Sequence, residues 1–401
     1  MLLKENFFKN YFSNSAEYKK NIIKTKKAFK YLLLNIKNNK IPPLISFEKN
    51  YKYNFSKLSI KKFSKYENII IVGMGGSSLG AKAIYSFFKK KINKKIFFFD
   101  NLDLDLNLKY KEIKNLKHSC FILVSKSGNT LETLANFGII FSKKIFKNKL
   151  VVITELANNS LIKIAKKYNA EIIEHKKFIG GRYSVLSETG MFPAALMGLK
   201  LEKFKNLNNL LKNKNFVDSL IHNVASIFTL NLRGYNNSIV INYNSSLNDL
   251  GYWYQQLSAE SLGKKGKGIN PFLSFAPKDH HSLMQLYLNG PKDKFFTFFN
   301  SEEKESKIKV NLNIYNENLS LKNKRLKSII DAQSRATKNI FKLKKIPFRQ
   351  IDFKKRNEDE LGKIFTFFIL ETILLSYLLD VNAFNQPAVE EIKIETKKFL
   401  R

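Results

Sequence analysis

The chain has 401 residues, 44% hydrophobic and 13% aromatic, enough for two or three domains with sizeable cores. Its formal charge of +37 comes from 70 Lys+Arg against 33 Asp+Glu. The lysines are scattered among Asn, Ile, Phe and Tyr, as an AT-rich coding bias would leave them, so the charge argues against a dedicated nucleic-acid surface while favouring capture of an anionic substrate.

The first 45 residues are lysine-rich and read as helical, packing outside the first domain. The start, MLLKENFFKNYF, has no uninterrupted apolar run, so no signal peptide is expected. From Asn68 the pattern alternates. Apolar runs at 69–73, 95–100, 120–125, 149–155 and 170–174 read as strands, with helix-like segments such as LGAKAIYSFFKK and LETLANFGIIFSKK between them. Continuous apolar strands separated by helices predict a parallel sheet covered on both faces. Cys120 lies on one of these strands. A single cysteine leaves no internal disulfide and fits a reducing, cytoplasmic setting.

A second α/β unit follows. The helical segment VDSLIHNVASIFTLNL precedes predicted strands at 238–244, 294–300 and 347–353. Helices are expected near 247–262, 280–289, 322–342, 358–379 and 387–400. The most apolar stretch, Ile364–Leu379, contains Glu371 and falls short of the ~20 apolar residues a membrane span needs. It reads as a core helix, and no membrane partner is expected. The expected division is a helical segment at 1–44, α/β domains at 45–200 and 201–383, and a C-terminal helix at 384–401.

Two loops carry the chemistry. The first strand runs into Gly73-Met74-Gly75-Gly76-Ser77-Ser78-Leu79-Gly80 and then a helix, a place where backbone N–H groups meet an anion. A dinucleotide fingerprint competes, because Asp100 ends the next strand about 20 residues on, as a ribose-binding acid would. Its third glycine, however, is replaced by Ser78. The next-but-one strand decides the matter, since it ends in Ser125-Lys126-Ser127-Gly128-Asn129-Thr130 before another helix. Hydroxyls and backbone N–H groups outside the carboxyl ends of neighbouring strands cradle a monophosphate. One serine there would be an ordinary helix cap. The cluster favours phosphate. Further on, Arg182 is the first arginine of the chain and sits in Gly180-Gly181-Arg182-Tyr183-Ser184. An always-charged fork beside two glycines points to an oxyanion held close to the backbone.

VGMGGSSLG with VSKSGNTLET resembles the sugar-isomerase (SIS) domain. With IGGRYSVLSETG, YQQLSAESLGKKGKG (254–268) and FNQPAVEEIK (384–393), the chain resembles the phosphoglucose isomerase family from about residue 68 to its C-terminus. Ala388 stands where the family signature has glycine, and Leu262 where some members are polar. The resemblance implies two SIS-type, doubly wound parallel-sheet α/β domains with extra N- and C-terminal helices. It implies reversible conversion of D-glucose 6-phosphate and D-fructose 6-phosphate through ring opening and a cis-enediol, with no cofactor and no metal.

It also implies roles. Glu260 would be the base, four residues from Gln256 and so on the same helix face, with Leu247, Leu250, Tyr254 and Leu257 on another. Arg182 would stabilise the enediolate. His281 and Lys393 would open the ring, with His281 supplied by the second subunit of a homodimer. Gly76, Ser77, Ser125, Lys126, Ser127 and Thr130 would hold the phosphate, Gln256 would bind the substrate, and Gln386 would touch the phosphate loop. His118, His175, His222 and His280 read as structural or surface histidines. Three alternatives stay open: an isomerase that also accepts mannose 6-phosphate, a non-catalytic SIS sensor of sugar phosphates, and an NAD-dependent dehydrogenase.

Overall fold

The computed structural model describes the chain except residues 1, 2, 6, 8–10, 13, 14, 142–147, 303–306, 313, 314, 317, 318 and 401. Strand β1 (Leu3–Glu5) and helix α1 (Ala16–Lys37) come first. The first α/β unit follows as β2 (Asn68–Val72), α2 (Leu79–Phe88), β3 (Lys95–Phe99), β4 (Ser119–Val124), α3 (Leu131–Phe141), β5 (Leu150–Thr154), α4 (Ser160–Lys167) and β6 (Glu171–Glu174). These strands form one parallel sheet in the order β3-β2-β4-β5-β6. Every residue of β2, β4 and β5 is buried, because helices and loops cover both faces. That is why these strands show continuous apolar runs. Cys120 is enclosed on β4, and burial pushes its thiol up to about 12.

Helix α5 (Glu188–Leu196) leads to the second unit: α6 (Lys214–Leu232), β7 (Asn237–Asn242), α7 (Asn248–Leu262), β8 (Asn270–Phe275), β9 (Lys294–Ser301), the hairpin β10 (Tyr315–Asn316) with β11 (Leu319–Ser320), α8 (Leu326–Leu343), β12 (Phe348–Phe353), α9 (Glu358–Leu379) and α10 (Ala388–Phe399). The second sheet has the order β1-β12-β9-β7-β8, parallel except for β1. In both sheets the chain steps from β2 or β7 to the strand on one side and then crosses to the other side. The reversal falls between β2 and β4 in the first sheet and between β7 and β9 in the second. Ligands of such sheets bind at that point, outside the carboxyl ends of the strands.

Two strands escape the sequence patterns. β8 starts Asn270-Pro271 and leaves Phe272 half exposed, which an edge strand tolerates. β1 is only three residues long and gains its place by pairing antiparallel with β12. The N-terminal segment also lies elsewhere than expected. Ser15 caps α1 by accepting from the Tyr18 N–H at 3.2 Å. The helix then packs on α6 and α9 of the second unit, with Asn21 donating to Thr229 at 2.9 Å. Its buried face, including Phe29 and Leu32, joins the same core cluster as Phe228 of α6 and Leu375 of α9.

α9 is long and apolar enough to cross a membrane by length and composition, but it is enclosed in the fold, as a core helix is. Glu371 on α9 pairs with Arg349 of β12, both fully buried. Asn223 and Tyr254 also donate to the Glu371 carboxylate, the tyrosine at 3.3 Å, while Arg349 donates to Thr297 at 2.9 Å. Burying two charges requires this degree of satisfaction.

Candidate active site

Three backbone turns and one helix face meet at the carboxyl end of the first sheet. The loop after β2 turns sharply, with Gly75 at φ +52°, where a Cβ would lie 2.8 Å from Gln256 Nε2 of α7. At Gly76 a Cβ would lie 2.2 Å from the carbonyl carbon of Gly181 and 2.7 Å from the Arg182 nitrogen. The glycine pairs read from the sequence therefore serve each other: one loop lies backbone-on-backbone against the other. Ser184 fastens the contact, its hydroxyl donating to the Gly181 carbonyl at 2.7 Å and the Gly76 carbonyl at 3.3 Å.

Arg182, 2% exposed, uses all five donors on protein acceptors. Its Nε donates to Ser261 Oγ at 2.9 Å, and one terminal nitrogen donates to Glu260 Oε2 at 3.1 Å and to Gln386 Oε1. The other terminal nitrogen donates to the carbonyls of Ala383 at 2.5 Å and Asn385 at 3.1 Å. A planar fork fixed on five sides is what lysine could not provide. One guanidinium thereby ties the end of α7 to the segment before α10. Tyr183 repeats the link, donating to Ala383 O and bonding Ser261 Oγ, each at 3.0 Å.

Glu260 is placed as the helix spacing predicts. Leu247, Leu250, Tyr254 and Leu257 are buried, whereas Gln256 and Glu260 are partly open, and Gln256 Nε2 donates to Glu260 Oε1 at 2.8 Å. Each carboxylate oxygen thus has one donor, and the side chain keeps 28% exposure. Lys264, missed by sequence reasoning, closes the helix end by donating to the carbonyls of Glu260 at 2.6 Å and Ser261 at 2.8 Å. Burial, reinforced by Arg182, brings its pKa down to about 8 against the pull of Glu260. Ser261 was missed as well. Both lie inside the segment Glu260-Ser261-Leu262-Gly263-Lys264, so the signal was present but attached only to the glutamate. A cavity of about 870 Å³ opens beside Glu260, Lys264, Asn385 and Gln386.

The loop after β4 stands next to the loop after β2, for a Cβ on Gly73 would touch the Val124 carbonyl at 2.8 Å. Ser125 Oγ and Thr130 Oγ1 are 2.7 Å apart, and the Gly128 N–H donates to Ser125 at 3.1 Å. Ser127 accepts from the Asn129 N–H at 3.3 Å. Lys126 lies 3.7 Å from Glu155, and its pKa is lowered first by burial, with Glu155 opposing and Arg182 adding to the fall. Ser77 is partly open at the first loop, whereas Ser78 is buried and donates to the Gly75 carbonyl. Asp100 is engaged by Lys82 at 2.8 Å.

Two assigned residues, Gln386 and Lys393, fall differently from expectation, and a third, His281, was expected to act outside its own subunit. Gln386 binds Arg182 rather than the phosphate loop, because the 383–386 segment wraps the guanidinium. Lys393 is exposed on α10 and pairs with Glu390 at 2.6 Å. His281 is exposed on the short turn Lys278–His281 that follows β8. Among the described residues, neither Lys393 nor His281 hydrogen-bonds to Arg182, Glu260 or the two loops. His280 is half-buried, 2.7 Å from the Tyr243 hydroxyl. His175 is buried, and burial lowers its pKa to about 4. Among the described residues no group of three or more His, Cys, Asp or Glu could hold a metal ion.

Comparison with known proteins places the chain in a family. The family described as phosphoglucose isomerase matches residues 56–276. The glucose-6-phosphate isomerase of Methanocaldococcus jannaschii is 35% identical over 349 residues, covering 83% of this chain and 84% of that one. That of Mycoplasmopsis synoviae is 31% identical over 352 residues, covering 82% and 81%. Among solved structures, a hypothetical protein of Thermus thermophilus superposes with a TM-score of 0.81 at 23% identity, covering 96% of each chain. A glucose-6-phosphate isomerase of Chlamydia trachomatis gives 0.70 at 19% identity, covering 84% of this chain and 70% of that one. On the family match over residues 56–276 and the 35% identity over most of both chains, the chain belongs to the phosphoglucose isomerase family.

Proposed function

We propose that this chain interconverts D-glucose 6-phosphate and D-fructose 6-phosphate by ring opening and proton transfer through a cis-enediol. The observation that carries the reading is Glu260, held between Gln256 and Arg182 at the mouth of a glycine loop. A carboxylate so oriented suits moving a proton between C1 and C2. Arg182, rigid and buried, is the group suited to the enediolate charge. Ser77, Ser125, Lys126, Ser127 and Thr130, with the backbone at Gly76, are the phosphate cradle of this reading. The adjacency of their two loops supports it. Gln386 acts here by orienting Arg182. The NAD reading is not favoured, since Asp100 is occupied by Lys82.

His281 and Lys393 are the ring-opening pair in this proposal, and both depend on contacts beyond the isolated subunit. The exposure of His281, and of Ile392, Ile394 and Phe399 on α10, supports a homodimer in which His281 serves the neighbouring site. The lone buried Cys120 fits a cytoplasmic setting.

The test is a coupled assay. Fructose 6-phosphate is supplied, and glucose 6-phosphate is read through a dehydrogenase specific for it. Glucose 6-phosphate formed from fructose 6-phosphate, in proportion to the enzyme added, is expected. No product at any enzyme concentration would end the proposal.

A further inference from the structure

The second sheet has a reversal point of its own, and it carries a basic cavity. Between β7 and β9 the strand order turns back, as it does between β2 and β4 where the phosphate loops lie. A cavity of about 860 Å³ opens there. Its walls come from the segments after three neighbouring parallel strands: Ser245 and Ser246 after β7, Glu302 after β9, and Lys354 to Asn357 after β12. The fourth wall is the end of α2 from the first unit, with Lys89, Lys90 and Lys91.

Among the described residues, the lining therefore holds six cations against one carboxylate, Glu302. Scattered lysines would not single out a place in so basic a chain. Arg356 does. Its guanidinium lies 4.5 Å from the Phe87 ring centre and donates to Ser246 Oγ at 2.6 Å. It donates again to Ser301 Oγ at 3.4 Å and to the Phe87 carbonyl at 3.4 Å. A fork held this way, with hydroxyls beside it, is built for oxyanions. The acids that follow Arg356 in sequence do not cancel it. Glu358 accepts from the Lys200 N–H, Asp359 from Asn206, and Glu360 from the Lys354 N–H, and none of these three lines the cavity.

We propose that this cavity is a second anion site, one that takes a small molecule bearing two or more phosphoryl groups. Its volume is of the size that small ligands fill, about 300–1,000 Å³. Six cations exceed what a monophosphate neutralises, so a diphosphate or triphosphate group fits the charge better. The site is separate from the one that holds the sugar phosphate, and its assignment does not depend on the proposed reaction.

The test uses inorganic pyrophosphate as probe, titrated calorimetrically into the full chain with the sugar-phosphate site saturated by fructose 6-phosphate. One saturable event per chain is expected. It should weaken at least about tenfold in Lys354→Ser/Lys355→Ser, whose side chains are exposed and whose loss spares the fold. It should weaken likewise in Arg356→Gln and stay unchanged in Ser125→Ala/Thr130→Ala. The proposal is overturned by the absence of saturable heat. It is equally overturned if binding survives in the lysine variant or disappears in the Ser125/Thr130 variant.

Discussion

Gly76→Ala probes the contact on which the site depends. The new Cβ would sit 2.2 Å from the Gly181 carbonyl carbon, 2.4 Å from its oxygen and 2.7 Å from the Arg182 nitrogen. Carbon contacts become favourable only near 3.5 Å, so the two loops must part by about 1 Å. Both surfaces are backbone, and no side chain can rotate away. The displacement reaches the residue whose five donors orient Glu260 and Gln386. A misplacement of about 1 Å at reacting groups can cost ~10²-fold in rate. Overpacking adds about 1–3 kcal/mol of destabilisation. We therefore expect kcat to drop by about 10²-fold, read in the coupled assay, with a lower urea midpoint. Gly138→Ala is the control, because a Cβ there meets nothing within 4 Å on helix α3. It should keep full activity and gain about 0.5–1 kcal/mol of stability. If Gly76→Ala kept kcat within threefold of wild type, the loop contact would not position the catalytic groups.

Glu260→Gln should retain substrate binding but lower kcat by at least about 10²-fold, with exchange of the C2 proton falling in parallel; normal exchange would remove Glu260 from the mechanism. Mixing Glu260→Gln with His281→Ala subunits should restore activity up to about one site in four, since half of random dimers are mixed and each carries one intact site. Mixed dimers seen by native mass spectrometry without activity would exclude a cross-subunit histidine. Glu371→Gln leaves Arg349 as a buried charge without its carboxylate and should cost about 3–5 kcal/mol in denaturant unfolding. His175 has a folded pKa of about 4, below its unfolded value, so the unfolded chain binds more protons between the two. Its contribution is whole above pH 6.5 and declines as pH falls toward 4, by up to roughly 3 kcal/mol. In His175→Phe the dependence of stability on pH over that window should flatten, and an unchanged slope would place the titration elsewhere.

The sequence alone determined what depends on neighbours along the chain. β2, β4 and β5 are legible because strands buried on both faces must be apolar at every position. Glu260 and Gln256 are legible as a pair because four residues span about one helical turn. The two loops proposed to hold phosphate stand out in the sequence because Gly, Ser and Thr cluster at strand ends. What the tertiary structure decided depends on residues remote in sequence. Nothing local in α1 names its partner, and the folded chain packs it on α6 and α9 of the second unit. Edge strand β8 carries a proline and an exposed phenylalanine, so its place rests on pairing with β7. Arg182 stands out in the sequence beside its two glycines, yet its partners Glu260, Ser261, Ala383 and Gln386 lie 78 to 204 residues away. No local pattern encodes which acceptors a guanidinium will find. Lys393 and His281 show the same limit from the other side. Both residues sit in recognisable segments, but their positions in the folded subunit are exposed, because a motif fixes residue type and only packing fixes where the side chain arrives.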